Sequence, residues 1–243
     1  MPRVRPFLIL ETGQPVPSMR RHGGFPHWIR VAAGLSRAQV EVVDVERGAA
    51  LPDVGQHRGV LVTGSGAMVT DRADWSERSA AWLREAAHAG LPLLGICYGH
   101  QLIAHALGGE VGANPRGREM GTFELQRHDD AGDDPLFGGL EATFRAQTTH
   151  LQSVLRLPDG ATVLAASALD PHHAFRWGDR VWGVQFHPEF SATHMRGYIR
   201  ARAAALREEG ASPAAMVADV RATPQAREVL RRFVRVAEAL SRD

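Results

Sequence analysis

One strand–turn–helix segment constrains the fold of this chain more than any other feature. The apolar run at residues 91–96 leads into the heptapeptide GICYGHQ at residues 95–101, and a helical pattern continues to residue 109. A short apolar run of this kind is typical of a buried strand. Because the strand passes at once into a helix, the segment predicts one unit of an α/β fold.

Strand and helix patterns alternate through the first hundred residues and predict a mainly parallel sheet with right-handed crossovers. Shorter strands with short connections follow and favour antiparallel pairing, and the C-terminal part is helical. The predicted strands are residues 7–11, 39–45, 59–63, 91–96, 121–127, 143–147, 162–167, 174–177 and 181–186. The predicted helices, besides the one after the heptapeptide, are residues 26–35, 75–89, 192–208, 213–220 and 225–240. The turn-rich segment 129–140 is predicted to be an exposed loop.

The heptapeptide contains the only cysteine of the chain, Cys97. A reactive side chain at a tight strand-to-helix turn needs small neighbours, which Gly95 and Gly99 provide, and this is the geometry of a nucleophile elbow. The N–H groups and the dipole at the start of the helix favour a thiolate there. A lone cysteine is more often a small buried apolar residue, so the elbow by itself leaves both interpretations open.

A second motif provides a base for such a nucleophile. The apolar strand in VWGVQFHPEF, residues 181–190, ends in His187, Pro188 and Glu189. A thiol nucleophile needs a base, and the base needs an orienting group. Residues two apart in an extended segment point to the same side, so Glu189 can approach the imidazole of His187. The two motifs together indicate a Cys-His-Glu triad.

These motifs, GICYGHQ and GVQFHPEF, resemble those of the class I glutamine amidotransferases, a triad family whose domain supplies ammonia to synthetases. The resemblance implies the flavodoxin-like amidotransferase fold, an open, mixed, mainly parallel sheet flanked by helices. It also implies Cys97 as nucleophile, His187 as general base and acid, and Glu189 as orienting residue. We expect a single domain over residues 1–243, with its core at about residues 4–206 and a C-terminal helical extension at about residues 207–243.

The resemblance further implies an oxyanion hole and a substrate pocket. Its backbone donors would be Gly64 or Ser65, in the glycine-rich turn after the strand at 59–63, and Tyr98 after the nucleophile. The family's turn is Gly-Gly-Pro where this chain has Gly-Ser-Gly, so the donor in this turn stays open. The substrate-binding positions are Gln101 and the backbone of Thr149, His150 and Leu151. Glu119 matches a polar position near the same pocket, whereas Gln152 stands where the family commonly has Asp. The alternative for both is that they are solvated loop residues.

By resemblance the reaction is hydrolysis of the glutamine side-chain amide, with a γ-glutamyl thioester on Cys97, release of ammonia, and no cofactor or metal. The chain is similar to the amidotransferase half of GMP synthase and to its stand-alone relatives. The roughly forty residues after the matched region are too few for an ATP-dependent synthetase, so a separate synthetase subunit is an expected partner. Two alternatives stay open: a stand-alone hydrolase of γ-glutamyl amides or peptides with the same triad, and a non-catalytic regulatory or binding module.

Composition and charge exclude several other classes of function. A net charge of +1 gives no strong steering toward nucleic acid or membrane, and no apolar run approaches the length of a membrane helix. One cysteine excludes an internal disulfide, and the chain contains no lysine, which excludes Schiff-base and P-loop chemistry. We therefore expect a cytoplasmic enzyme that binds neither nucleic acid nor membrane.

Twelve histidines raise the question of a metal. His100 and His105 diverge on their helix, and His172 and His173 are expected to face opposite sides of a strand. No HExxH motif or cysteine pair occurs, so no metal site is expected. The arginine-rich C-terminal helices are interpreted as amphipathic helices with solvated polar faces, with a homodimer contact or a partner surface as the alternatives.

Overall fold

Eleven strands and seven α-helices make up the part of the chain that the structure, a computed structural model, describes, residues 5–241. The strands are β1 Phe7–Glu11, β2 Val40–Asp44, β3 Val60–Val62, β4 Leu93–Ile96, β5 Glu110–Ala113, β6 Glu119–Arg127, β7 Thr143–His150, β8 Gln152–Arg156, β9 Ala161–Ala166, β10 Ala174–Trp177 and β11 Val181–Val184. The helices are α1 Phe25–Ala33, α2 Asp74–His88, α3 Tyr98–Ala106, α4 Ala192–Ala201, α5 Ala203–Glu208, α6 Pro213–Asp219 and α7 Pro224–Leu240.

Nine of these strands form one mixed sheet in the order β2-β1-β3-β4-β11-β10-β9-β6-β7, and β5 pairs with β8 in a separate ribbon. Neighbours from β2 to β11 are parallel, and those from β11 to β7 are antiparallel. The predicted fold class, a mixed and mainly parallel sheet flanked by helices, is confirmed. The last strand differs from the expected antiparallel pairing, because β11 pairs antiparallel with β10 but parallel with β4. The parallel strands β3, β4 and β11 lie side by side, so their carboxyl ends meet at one edge of the sheet.

Both faces of the sheet are covered at β1, β3, β4 and β11, which is why these strands are buried along their whole length and apolar without alternation. Phe7 and Ile9 point to the face packed by α1 and α7, whereas Leu8 and Leu10 point to the face packed by α2 and α3. Because successive side chains of a strand alternate between faces, a run of buried residues such as FLIL needs helices on both sides. This arrangement leaves the carboxyl edge of the sheet as the open side.

A third apolar cluster supports the segment after β11 and one wall of the open edge. Met195 and Tyr198 of α4 pack there with Phe25, Trp28 and Phe190. The ring of Phe190 lies 5.6 Å from that of Trp28 and 4.9 Å from that of Tyr198. The cluster therefore fixes α4 beside the segment that follows β11.

The prediction of an exposed loop at residues 129–140 is wrong for its apolar part. Leu136 and Phe137 are fully buried. The carboxylate of Asp134 accepts hydrogen bonds from the N–H groups of both residues and from the side chains of Arg176 and Trp182. This buried carboxylate satisfies the polar groups of the turn, so its apolar side chains can join the core.

Two further details differ from the sequence-based expectation. The ribbon of β5 and β8 was not predicted, because β5 is largely exposed and lacks apolar alternation. The helix predicted over residues 192–208 is interrupted at Arg202, whose φ of −101° and ψ of 11° end one helix and precede the next.

The C-terminal helix α7 is part of the central packing. Its residues Val229, Leu230 and Phe233 are fully buried in the core cluster that also contains Trp182 of β11. The rings of Trp182 and Phe233 meet edge to face at 6.2 Å. Over the residues that the structure describes, no helix is both long and apolar enough to cross a membrane.

Candidate active site

Cys97 lies at the turn between β4 and α3 in a strained backbone conformation. Its φ of 52° and ψ of −101° lie outside the regions that a residue with a side chain ordinarily adopts, at a cost of about 1–3 kcal/mol. A Cβ at Gly95 would lie 2.3 Å from the carbonyl oxygen of Gly99, and one at Gly99 would lie 2.6 Å from that of Val62. Only glycine fits at either position, and the predicted elbow geometry is present.

Backbone hydrogen bonds hold the elbow to the two neighbouring strands. The N–H of Cys97 donates to the carbonyl oxygen of Val184 at 2.8 Å, and that of Gly99 donates to Thr63 at 3.2 Å. The thiol Sγ lies 3.8 Å from the carbonyl oxygen of Thr149. Cys97 is buried except where it lines a pocket, so the surrounding strands fix the direction of its side chain.

His187 and Glu189 follow β11 and form a buried pair. Nδ1 of His187 donates to Oε1 of Glu189 at 2.8 Å, and the N–H of His187 donates to the carbonyl oxygen of Gln147 at 2.8 Å. The imidazole stacks on Phe190 with the ring centroids 4.2 Å apart. Within residues 5–241, Nε2 of His187 has no hydrogen-bond partner. These contacts orient the imidazole and leave one ring nitrogen available for proton transfer.

The charges around His187 determine its protonation state. Burial lowers the pKa of this imidazole, but the negative charge of Glu189, with the interaction of the imidazole with Cys97, outweighs burial and raises the pKa well above its ordinary value. The histidine therefore carries a proton at neutral pH. Such a cation beside the cysteine stabilises a thiolate.

The turn after β3 lies between the cysteine and the histidine. A Cβ at Gly64 would be 3.0 Å from Cε1 of His187 and 3.8 Å from Cβ of Cys97, so both side chains flank this glycine. Thr12 supports the turn, since its hydroxyl donates to the carbonyl oxygens of Thr63 and Gly64 at 2.9 and 3.2 Å. The structure thus places Gly64 beside the side chains of Cys97 and His187.

A pocket of about 350 Å³ opens above the thiol. The predicted positions that line it include Cys97, His187, Ser65, Tyr98, Gln101, Thr149, His150 and Leu151. Tyr98 is the first residue of α3, so its N–H has no partner inside the helix. The amide nitrogen of Gln101 donates to the carbonyl oxygen of Gln152 at 2.7 Å and to the side chain of Gln185 at 2.9 Å.

Glu119 is fully buried behind the pocket, which excludes its interpretation as a solvated loop residue. Oε2 accepts hydrogen bonds from Nε2 of His150 at 2.9 Å and from Nε2 of His173 at 2.7 Å, and Oε1 accepts one from Ser167. Burial raises the pKa of this carboxyl, but the hydrogen bonds from the two histidines and Ser167, with the charge of His173, lower it below its ordinary value. Gln152, the other residue with that interpretation, is also buried.

The sequence analysis missed His173 and Ser167 as members of this cluster. The pair His172–His173 was expected on a strand, but it lies in the turn before β10, and this turn directs His173 toward Glu119. Carboxylate and imidazole are metal ligands, and in the described part of the chain the ligand atoms of Glu119, His150 and His173 lie within 4.8 Å of one another. The contacts of Glu119 with the two histidines, 2.9 and 2.7 Å, are hydrogen-bond lengths. The three side chains therefore form a hydrogen-bonded cluster.

Sequence comparison relates this chain to known proteins. The family model "Glutamine amidotransferase class-I" matches residues 22–204. The chain is 39% identical over 142 residues to the GMP synthase (glutamine-hydrolyzing) of Thermomicrobium roseum, which covers 58% of this chain and 25% of that protein. It is also 39% identical over 118 residues to one subunit of the GMP synthase (glutamine-hydrolyzing) of Methanothermobacter thermautotrophicus, covering 48% of this chain and 61% of that subunit. The match to the Thermomicrobium protein therefore spans about a quarter of that relative's length.

Structural comparison agrees in fold. A glutamine amidotransferase from Thermotoga maritima superposes with a TM-score of 0.75 at 20% identity, covering 97% of this chain and 99% of that one. Another glutamine amidotransferase, from Methylobacillus flagellatus, gives 0.76 at 21% identity over 96% of this chain and 95% of that one. At sequence identities of 20% and 21%, the structural likeness shows a shared fold and no more. Together with the family match, it confirms the resemblance found in the two motifs: the chain belongs to the class I glutamine amidotransferase family.

Proposed function

We propose that this chain hydrolyses the side-chain amide of glutamine through Cys97 and delivers the ammonia to an acceptor. The observation that carries the proposal is the strained elbow at Cys97, which presents a thiol to the same pocket as His187. Strain at a single non-glycine residue persists only where the surrounding structure imposes it, and it is concentrated at functional sites. Here both neighbouring strands impose it by hydrogen bonds to the elbow.

In the proposed mechanism, the thiolate of Cys97 attacks the amide carbon of glutamine. His187, protonated at neutral pH, gives its proton to the leaving nitrogen, so that ammonia departs and a γ-glutamyl thioester remains. Water then loses a proton to His187 and attacks the thioester, which releases glutamate and restores the thiolate. Glu189 holds the imidazole through Nδ1 and stabilises its positive charge.

The oxyanion formed in each attack needs donors that are already in place. We assign this role to the N–H of Tyr98 and to the backbone of Gly64 and Ser65, because both segments border the thiol. For the α-amino and carboxylate groups of glutamine we assign Gln101 and the backbone of residues 149–151. Support for this assignment comes from the position of these residues in the pocket, around the thiol.

A separate synthetase is the proposed recipient of the ammonia. The relative from Methanothermobacter thermautotrophicus is named as one subunit of a GMP synthase (glutamine-hydrolyzing), and by analogy this chain would work with a separate subunit. A stand-alone γ-glutamyl hydrolase is a second candidate, because the same triad would cleave any γ-glutamyl amide. Three arginines line the pocket, Arg20, Arg118 and Arg202. They favour the hydrolase because a guanidinium group binds a carboxylate.

Ammonia release by the purified chain tests the proposal. Glutamine and a panel of γ-glutamyl peptides are compared, and Cys97→Ala is expected to abolish turnover of all of them while far-UV circular dichroism stays unchanged. A glutamine-derived chloroketone is expected to label Cys97. Turnover by Cys97→Ala at the wild-type rate, or labelling of another residue, would remove Cys97 from the mechanism. Thioester formation from glutamine with little turnover would support an amidotransferase that depends on its partner.

A further inference from the structure

The turn that follows β11 places the ring of Phe190 over the imidazole of His187. The N–H of Phe190 donates to the carbonyl oxygen of His187 at 3.2 Å, and this turn brings the two side chains together. Their ring centroids lie 4.2 Å apart, and the ring planes are inclined to each other by 27°. The imidazole therefore meets the face of the phenylalanine ring rather than its edge.

This face contact is separate from the other contacts of the imidazole. A hydrogen bond runs close to the N–H direction, so Glu189 meets the edge of the imidazole at Nδ1. Gly64 lies beside Cε1 on the edge as well. The ring of Phe25 is also nearly parallel to the imidazole, but its centroid is 6.5 Å away, beyond the range of about 6 Å in which a cation and a ring attract each other appreciably. Of these two aromatic rings, Phe190 is the one in contact with the imidazole.

Two helices hold the ring of Phe190 in this position. Its centroid lies 5.6 Å from that of Trp28 of α1 and 4.9 Å from that of Tyr198 of α4. Phe190 is 1% exposed, and within residues 5–241 it is not one of the residues that line the pocket. A substrate bound above the thiol therefore does not touch Phe190, and any effect of this ring on the reaction passes through His187.

The titratable groups that face His187 come from three segments. Glu189 follows it in the chain and Cys97 belongs to the elbow, and both favour its protonated form. His194 and Tyr198 come from α4. Burial lowers the pKa of His194 and raises that of Tyr198, so both side chains are uncharged at neutral pH. The protonated imidazole of His187 is therefore a buried cation with one face against an aromatic ring.

We propose that Phe190 is a positioning residue whose ring face stabilises the protonated imidazole of His187. A cation over an aromatic face is attracted by the quadrupole of the ring, most strongly where water is excluded. This inference rests on the proposed role of His187 as the acid. The bonds that change stay the same: the sulfur of Cys97 bonds to the amide carbon, the bond from that carbon to nitrogen breaks, and the proton on Nε2 of His187 passes to the nitrogen. Phe190 keeps that proton on His187 until the bond breaks.

The sign of the change in the pKa of His187 separates this role from packing alone. Burial lowers this pKa, so a smaller side chain that only admitted water would raise it. Loss of the ring face lowers it instead, by about one pH unit for a contact from which water is excluded. We expect Phe190→Leu to lower the midpoint of His187 by about that amount in an NMR titration of the imidazole carbons.

The pH dependence of turnover gives a second measurement. In Phe190→Leu the alkaline decline of kcat/KM for glutamate formation from glutamine is expected to move to lower pH by about the same one unit. The acidic side of the profile is expected to stay in place, because the thiol of Cys97 loses its proton while His187 is protonated both before and after. A histidine that is only displaced would lower kcat/KM at every pH without moving the alkaline decline.

Variants that keep the shape of the ring isolate its charge distribution. A trifluorinated phenylalanine in place of Phe190 nearly keeps the shape but weakens the negative potential of the face, and it is expected to lower the midpoint in the same direction as leucine. Phe190→Tyr keeps the face and is expected to keep the wild-type midpoint. The control is Phe137→Leu, which removes the same atoms from a fully buried phenylalanine that packs against the ring of Phe144; it is expected to leave the midpoint of His187 unchanged.

The outcomes separate this inference from the proposed function. A midpoint that rises or stays in Phe190→Leu, or one that the fluorinated ring does not lower, would overturn the inference. The NMR titration needs no turnover, so this result counts whether or not the chain hydrolyses glutamine. If Phe190→Leu fails to fold, the fluorinated variant decides. Absence of Cys97-dependent turnover together with a lowered midpoint would overturn the proposed function and leave the stabilisation of the imidazole by Phe190.

Discussion

The buried pair of His187 and Glu189 permits a quantitative prediction for Glu189→Gln. The two side chains are joined by a hydrogen bond of 2.8 Å and are almost fully buried. For charge centres about 4 Å apart, the Coulomb energy at an effective dielectric constant of about 20 is about 4 kcal/mol. Since about 1.4 kcal/mol corresponds to one pH unit, loss of the charge lowers the pKa of His187 by up to about three pH units.

The expected result is a displaced pH profile together with a slower reaction. In the wild type, the raised pKa keeps His187 protonated through neutral pH, and activity declines only as the pH rises through that pKa. In Glu189→Gln the same decline is expected at lower pH, with a loss of up to about 10³-fold in kcat/KM, the factor equivalent to about 4 kcal/mol. His187→Ala is expected to lose more, several orders of magnitude.

The assay is the pH dependence of kcat/KM for ammonia release from glutamine, from mildly acidic to alkaline pH. Glu41→Gln is the control, because Glu41 of β2, which is half exposed, makes a contact of 2.9 Å with His57 outside the pocket. The control is expected to keep the wild-type profile. An alkaline decline in Glu189→Gln at the wild-type pH, or a loss larger than that of His187→Ala, would refute the role of Glu189 as the charge that holds His187 protonated.

Three further substitutions test other parts of the structure. Gly64→Ala places a Cβ 3.0 Å from the imidazole of His187 and is expected to lower kcat by about tenfold or more. The control is Gly24→Ala, because a Cβ at Gly24 would make only ordinary van der Waals contacts. Equal kcat values in the two variants would contradict the close packing at Gly64. Glu119→Gln leaves two buried histidines without their carboxylate and is expected to lower the free energy of unfolding in urea by about 3–5 kcal/mol at neutral pH. Because the pKa of Glu119 is lowered, this difference should shrink as the pH falls below the ordinary value of 4.5; a difference independent of pH would argue against an ionised carboxylate. Phe233→Ala is expected to cost about 3–5 kcal/mol in the same assay, and a loss below about 1 kcal/mol would mean that α7 is not part of the core.

The elements of the candidate site could be predicted from sequence because their signals are local. The two glycines around Cys97 are required by contacts of 2.3 and 2.6 Å with backbone close to them in the fold, and His187 and Glu189 are only two residues apart. The order of the strands in the sheet has no such local signal, and no sequence pattern shows that β11 pairs with β4. This pairing was not predicted.

What could not be predicted depends on contacts between distant segments. Ser167 and His173 contact Glu119 from separate turns, and no spacing pattern relates the three positions. The buried part of the loop at 129–140 was missed for the same reason: its turn-forming residues are visible in the sequence, whereas the side chains that pair with Asp134 come from β10 and β11. Burial of polar residues by tertiary contacts has no local periodicity.

The strand order has a consequence for the synthesis of the protein on the ribosome. The strand β11, Val181–Val184, pairs with β4, Leu93–Ile96, in the middle of the sheet, although the chain makes many other elements between them. Until β11 emerges, the nascent sheet has an open parallel edge at β4, which can pair with other chains, and the cysteine has no histidine beside it. The reactive centre is thus completed only when about three quarters of the chain has been translated, so an incomplete chain carries the nucleophile without its base.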